Sequence, residues 1–177
     1  IIVPAYNEGT RLRESLPRIL DYLNRATTGS ELIVVDDGSP DDTARVAQCY
    51  PEVRYFYQDN KGVSAARNLG TRESLGSYLV FLDADDRLLP DHLSISLEAF
   101  EKNPDAAFVC GQYRCFGAAS PGHIHNCEPL PDHYGTLLRG LHDGFIGSLL
   151  TAMFQRKAVL AVGGLREELT LGQDHEF

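Results

Sequence analysis

The feature that most constrains this chain is a rhythm. Short apolar runs of strand length, each closing on turn-forming or acidic residues, alternate with stretches whose apolar positions recur every three or four residues. The runs fall at residues 1–4, 32–35, 53–57 and 78–82. Between the first two, Leu12, Leu16, Ile19, Leu20 and Leu23 predict a helix of about four turns with one apolar face. Pro17 inside it predicts a kink or a late start. Residues 43–49, 61–74 and 90–102 read as further helices. Strands alternating with helices at this pitch form βαβ units, with right-handed crossovers and parallel strands. Runs without polar alternation, such as 32–35 and 79–82, fit strands covered on both faces. The fold class is therefore α/β, a mostly parallel central sheet flanked by helices on both faces. In such a sheet ligands bind outside the carboxyl ends of the strands, beside the point where strand order reverses.

The second half of the chain carries a weaker pattern. Residues 105–116 read as a strand or hairpin arm, and 118–130 as a Pro-, Gly- and His-rich loop placed to act as a flap. A helix near 134–141, a strand near 148–155 and a helix over 156–162 follow, the last ended by a left-handed cap at Gly163 and Gly164.

Composition narrows the classes. A chain of 177 residues, 43% hydrophobic and 23% charged, suits one domain with a real core. Its net charge of -9 argues against a nucleic-acid partner, since affinity for phosphate polymers needs clustered Lys and Arg. Cys49, Cys110, Cys115 and Cys127 lack paired spacing and read as reduced thiols. Cys127 with His123 and His125 is at most a faint zinc pattern. No apolar run approaches the roughly 18 residues that mark a membrane span. The chain opens inside a strand and stops abruptly at Phe177, so it reads as a single domain truncated at both ends.

The acids supply the chemistry. The run 78–82 delivers Asp83, Asp85 and Asp86 where the strand must stop. Period-two geometry predicts Asp83 and Asp85 on one side. Two carboxylates so placed repel unless a cation sits between them, and oxygen ligands favour Mg²⁺ or Mn²⁺. The bland alternative is that the acids cap a strand and open a turn. The run 32–35 likewise ends in Asp36 and Asp37, and the first strand breaks at Pro4, Ala5, Tyr6, Asn7 and Glu8. All three tips occupy one edge of the predicted sheet.

Five stretches, in order and spanning nearly the whole chain, resemble the inverting nucleotide-sugar glycosyltransferases of family 2, which have the Rossmann-like GT-A fold. They are Val3-Pro4-Ala5-Tyr6-Asn7-Glu8, Val34-Val35-Asp36-Asp37-Gly38-Ser39, Asn60-Lys61-Gly62 through Ala66-Arg67-Asn68-Leu69-Gly70, Phe81-Leu82-Asp83-Ala84-Asp85-Asp86, and Gly163-Gly164 leading to Gly172-Gln173-Asp174. The resemblance implies a nucleoside pocket of Pro4, Ala5, Tyr6, Glu8 and Asp37, with Asp36 structural. It places Lys61 and Arg67 near the base and diphosphate, and Asp83 at the ribose or the metal shell. Asp85 would ligate the Mg²⁺ or Mn²⁺ ion, while Asp86 helps through water or caps the turn. Asp174 would be the catalytic base, with Glu176 a weaker candidate. Where the commonest pattern has Glu-Asp, this chain has Gln173-Asp174, so a neighbouring charge is lost.

Residues 1–103 would then be the nucleotide-binding half and 104–177 the start of the acceptor-side half. The implied partners are a nucleotide diphosphate sugar, expected to be UDP-linked, and a carbohydrate, lipid or protein acceptor. The implied location is cytoplasmic, or the cytoplasmic face of a membrane through parts outside this segment. Three other readings are weighed. A sugar-phosphate nucleotidyltransferase would need a Gly-rich basic loop after the first strand, where this chain has an acid. A donor-binding domain without catalytic activity would need only the nucleotide half. A phosphoacceptor receiver module would need its acid pair after the first strand, not after the second and fourth.

Overall fold

A computed structural model describes residues 1–26, 29–116, 124–125 and 149–168. Three parallel strands lie in the order β1 (Ile2–Ala5), β2 (Leu32–Asp37), β3 (Val53–Gln58). Helix α1 (Gly9–Ala26) connects β1 to β2, and α2 (Thr43–Ala47) connects β2 to β3. Helix α3 (Val63–Glu73) then carries the chain back past β1 to β4 (Tyr78–Val80). Just beyond β4 a parallel bridge pairs Ile2 with Phe81, and Leu82 N–H donates to the Ile2 carbonyl at 3.0 Å. This joins the first three strands to a second group. There β6 (Ala152–Gln155) lies between β4 and β5 (Phe108–Cys110) and runs antiparallel to both. Strand order therefore reverses between β1 and β4.

The one antiparallel member departs from a purely βαβ reading. The chain reaches β6 without a helical crossover from β5 in the described residues, entering through a short 3₁₀ turn at Leu149–Thr151. Helix α4 (His92–Lys102) precedes β5, and α5 (Arg156–Ala161) follows β6. A two-residue pairing of Tyr113–Arg114 with Ile124–His125 stands apart from the main sheet. The anticipated flap over 118–130 and helix near 134–141 fall almost wholly outside the described residues.

Both faces of the sheet are covered. Leu12, Leu16, Val46, Leu93 and Phe100 from α1, α2 and α4 pack on Val3, Val34, Val80 and Leu82. On the opposite face Ala66 of α3, Val159 of α5 and Leu165 pack on Ile2, Ile33, Val35 and Phe81. Alternate residues of one strand thus enter different cores, which is why these runs show no polar alternation. Leu12 and Leu16 are wholly buried, each contributing roughly 1.5–3 kcal/mol of burial free energy. Helix α1 continues unbroken through Pro17, which is exposed. Gly163 and Gly164 adopt φ of 87° and 84°, the left-handed stop expected after α5.

Candidate active site

The site begins where β1 breaks. Asn7 takes a left-handed φ of 57°, turning the chain from strand into α1. The N–H groups leading into α1 are bound by the β2–α2 loop and the first residue of α2. Asn7 N–H donates to Ser39 Oγ at 3.0 Å, Glu8 N–H to Thr43 Oγ1 at 2.9 Å, and Gly9 N–H to Asp41 Oδ2 at 3.1 Å. Asp41 also accepts the Thr43 N–H and hydroxyl, so it is Asp41 that binds the start of α2, while Asp42 at the N-cap position makes no capping bond. The first two strand tips are thereby locked together.

The two acids that end β2 divide their work. Asp36 is fully buried; its Oδ1 accepts Ser39 N–H at 2.9 Å and its Oδ2 accepts the Tyr55 hydroxyl at 2.8 Å. Burial and that carboxylate hold the Tyr55 phenol well above its usual range. Asp36 thus braces the strand. Asp37 is 4% exposed, and its carboxylate lines a cleft. Gln58 Nε2 and Lys61 N–H donate to Oδ1 at 2.7 and 2.8 Å, and Gly62 N–H donates to Oδ2 at 2.8 Å. Three donors on four lone-pair positions leave one acceptor position, on Oδ2, for a ligand N–H.

On the far side of β1 the chain leaves the sheet after Leu82. Asp83 and Asp85 share the cleft, but through a turn closed by Asp86 N–H on the Asp83 carbonyl at 3.0 Å rather than through strand pleating. The strand ends at Val80, earlier than the apolar run suggests. Arg67, 3% exposed on α3, places Nη2 3.2 Å from Asp83 Oδ1. Asp85 is more open, and Arg11 Nε stands 3.7 Å from its Oδ2 while Arg11 Nη1 holds both Glu8 oxygens at 2.7 and 2.8 Å. An exposed pair of this kind contributes at most about 1 kcal/mol. Asp86 is half-buried, and burial, then the neighbouring Asp83 and Asp85 charges, pushes its carboxyl above the usual range.

These pieces enclose a cleft of about 310 Å³ at the β1/β4 switch point. Pro4, Ala5, Tyr6, Glu8, Asp37, Asp83 and Asp85 line it, as do Val63, Ala66 and Ala84. The sequence named the first seven and missed the last three, whose small side chains carry no chemical signal. Tyr6 stands 49% exposed at the cleft, free to cover a flat ring. Arg67 reaches the cleft through Asp83. Lys61 meets the site through its backbone N–H on Asp37, and its side chain is exposed. Gln58 escaped the sequence reading because its partner Asp37 lies on another strand, as did Arg11 with respect to Asp85. Asp174, Glu176, Cys127 and His123 lie outside the described residues.

An α/β sheet whose order reverses beside a cleft lined by acids from three separate strand tips defines a GT-A domain. The model for "Glycosyl transferase family 2" matches residues 1–163, and the chain belongs to that family. An uncharacterized glycosyltransferase of Haemophilus influenzae is 30% identical over 180 residues, covering all of this chain and 59% of the relative. The chain thus spans little more than half of that protein. Among solved structures, Staphylococcus aureus TarS residues 1–349 in complex with UDP-GlcNAc superposes with a TM-score of 0.74 at 22% identity, over 98% of this chain and 50% of that one. The mannosyltransferase PcManGT of Pyrobaculum calidifontis, in complex with GDP-Man and Mn²⁺, gives 0.61 at 22% identity, over 98% and 48%. Likeness at these identities speaks for the fold. Among the described residues no helix is long and apolar enough to cross a membrane.

Proposed function

We propose that this chain is the donor-binding and catalytic part of a metal-dependent inverting glycosyltransferase that moves a sugar from a UDP-linked donor to an acceptor hydroxyl. The observation that carries this is the meeting of Glu8, Asp37, Asp83 and Asp85, from the ends of β1, β2 and β4, in one cleft at the switch point. The UDP-GlcNAc complex of TarS, the GDP-Man and Mn²⁺ complex of PcManGT and the family match support it.

The donor set fits a divalent ion. Asp83 and Asp85 offer oxygen ligands at the cleft. That suits Mg²⁺ or Mn²⁺, which commonly take one or two carboxylates and fill their remaining positions with phosphate oxygens and water. The ion would neutralise charge on the departing diphosphate. Asp37 accepts an imide N–H with its remaining lone pair, and Tyr6 packs on the base. Arg67 holds Asp83 in position from within the core. Asp174 takes the proton of the acceptor hydroxyl as that oxygen bonds to the anomeric carbon. The bond to the diphosphate oxygen breaks in the same step, its electron pair leaving with UDP, so the configuration inverts.

Calorimetry of UDP in the presence of Mn²⁺ tests the donor assignment on the full-length protein. Binding should require metal and weaken at least ~10-fold, about 1.4 kcal/mol, in Asp85→Asn. Asp174→Asn should abolish transfer while sparing UDP binding. A folded protein that fails to bind UDP with metal present removes the donor assignment.

A further inference from the structure

The last residue of β3, Gln58, is not part of the cleft lining, yet it acts on an acid that is. Parallel pairing sets Gln58 level with Asp37, and its Nε2 donates to Asp37 Oδ1 at 2.7 Å. A carboxylate only accepts, so the amide has to present its NH2 group. Lys61 N–H takes the second position on that oxygen at 2.8 Å, and Gly62 N–H takes one position on Oδ2 at 2.8 Å. Both backbone donors arrive because Gly38 has no side chain. A Cβ there would lie 2.8 Å from the Asn60 nitrogen, so glycine lets the chain before α3 press against the end of β2. Asp37 is buried, which keeps water from competing for these positions. Oδ1 is therefore full, and Oδ2 keeps one acceptor position.

We propose that Gln58 is a positioning residue that sets the choice of nucleobase: by occupying Oδ1 it makes Asp37 a single acceptor, so the cleft takes uracil and rejects guanine. The inference deepens the donor assignment made above and rests on it. Uracil presents one N–H, at N3 between two carbonyls, and one acceptor position satisfies it. Guanine also carries a ring N–H beside a carbonyl, but it sets a 2-amino group next to it. Those two donors pair with a carboxylate through both of its oxygens. Against Asp37 the second donor meets an oxygen with no lone pair left to give, and a donor unpaired in a buried site is costly. Cytosine fails for another reason, since its N3 is itself an acceptor and would face Oδ2 lone pair to lone pair. Without the Gln58 amide, Oδ1 regains an acceptor position and both guanine donors find partners. Cytosine gains nothing from the same change.

Calorimetry of UDP, GDP and CDP on the full-length protein with Mn²⁺ tests this. Wild type should bind UDP at least about tenfold more tightly than GDP or CDP. Gln58→Leu, which keeps the bulk and removes the donor, should lower the UDP-to-GDP affinity ratio about tenfold and leave the UDP-to-CDP ratio within about threefold. Gln58→Lys, which returns an N–H donor to Oδ1, should restore the UDP-to-GDP ratio. All three ligands carry the same diphosphate, so a general weakening of the cleft or a change in its charge cancels in these ratios. Wild-type affinity for GDP equal to that for UDP overturns the proposal. So does a UDP-to-GDP ratio that stays at the wild-type value in both Gln58→Leu and Gln58→Ala, or GDP and CDP affinities that rise together, the mark of a loosened pocket. Binding of none of the three removes the donor assignment and this inference with it, whereas UDP binding with unmoved selectivity removes the role of Gln58 alone.

Discussion

Asn68 ties the nucleotide half of the molecule to the segment that leads toward Asp174, and its removal has a calculable cost. Its Nδ2 donates to the Leu165 carbonyl at 2.8 Å and to Glu167 Oε1 at 2.9 Å, while its Oδ1 accepts the Leu165 N–H at 2.8 Å. Leu165 is 3% exposed, so Asn68→Ala strands a buried N–H and a buried carbonyl together. At ~1–3 kcal/mol for each unsatisfied group, the expected loss is about 2–6 kcal/mol, read from the urea midpoint at constant slope. Asn68→Asp should be worse at neutral pH, because it sets a carboxylate oxygen against the Leu165 carbonyl and the Glu167 carboxylate. Its deficit should shrink as pH falls and the introduced carboxyl regains a proton to donate. Gly164 offers an internal control. A Cβ there would lie 2.5 Å from Asn68 Oδ1, and the residue holds φ +84°. In the wild-type background Gly164→Ala should therefore cost both steric clash and backbone strain. In the Asn68→Ala background only the strain, about 1–2 kcal/mol, should remain. An Asn68→Ala protein within about 0.5 kcal/mol of wild type, or strictly additive Gly164→Ala costs, would refute this account of the clamp.

Two further expectations concern the scaffold. A Cβ at Gly70 would sit 2.5 Å from Ile2 Cγ2, at the contact between α3 and β1, so Gly70→Ala should lose about 1–3 kcal/mol by overpacking in denaturant titration, whereas helix propensity alone predicts a gain. His92 opens α4 with Nε2 buried and unpartnered among the described residues, and burial lowers its pKa below 6.5. A depressed histidine is neutral in the fold and charges more readily when unfolded, so stability should hold above pH 6.5 and decline as pH falls below it. His92→Gln should remove that part of the decline, as the difference in melting temperature between pH 7.5 and pH 5.5 would show.

The periodicity of the apolar residues made much of the architecture legible. Leu12 to Leu23 traced α1, the unalternating runs marked strands buried on both faces, and Gly163 with Gly164 marked the end of α5. Strand β6 was harder to place, because antiparallel insertion between β4 and β5 depends on partners distant in sequence, which no local pattern encodes. The acids were visible as a set, yet their division of labour was not. Asp36 and Asp37 are neighbours of identical chemistry, and only the Tyr55 hydroxyl on one and the Gln58, Lys61 and Gly62 donors on the other separate brace from cleft wall. Arg67 read as a cation for the ligand, and the fold buries it against Asp83.

The sequence by itself determined that strands would end in carboxylates and that helices would cover both sheet faces, because residue type and period act over a few residues. Tertiary structure alone decided which carboxylates meet. The reversal of strand order between β1 and β4 brings Asp37 and Asp83 to one cleft, and the turn after Leu82 sends Asp85 to that cleft and Asp86 to a separate cavity beside α1. Chain segments tens of residues apart have no common period, so their proximity is fixed only when the two cores close around the sheet.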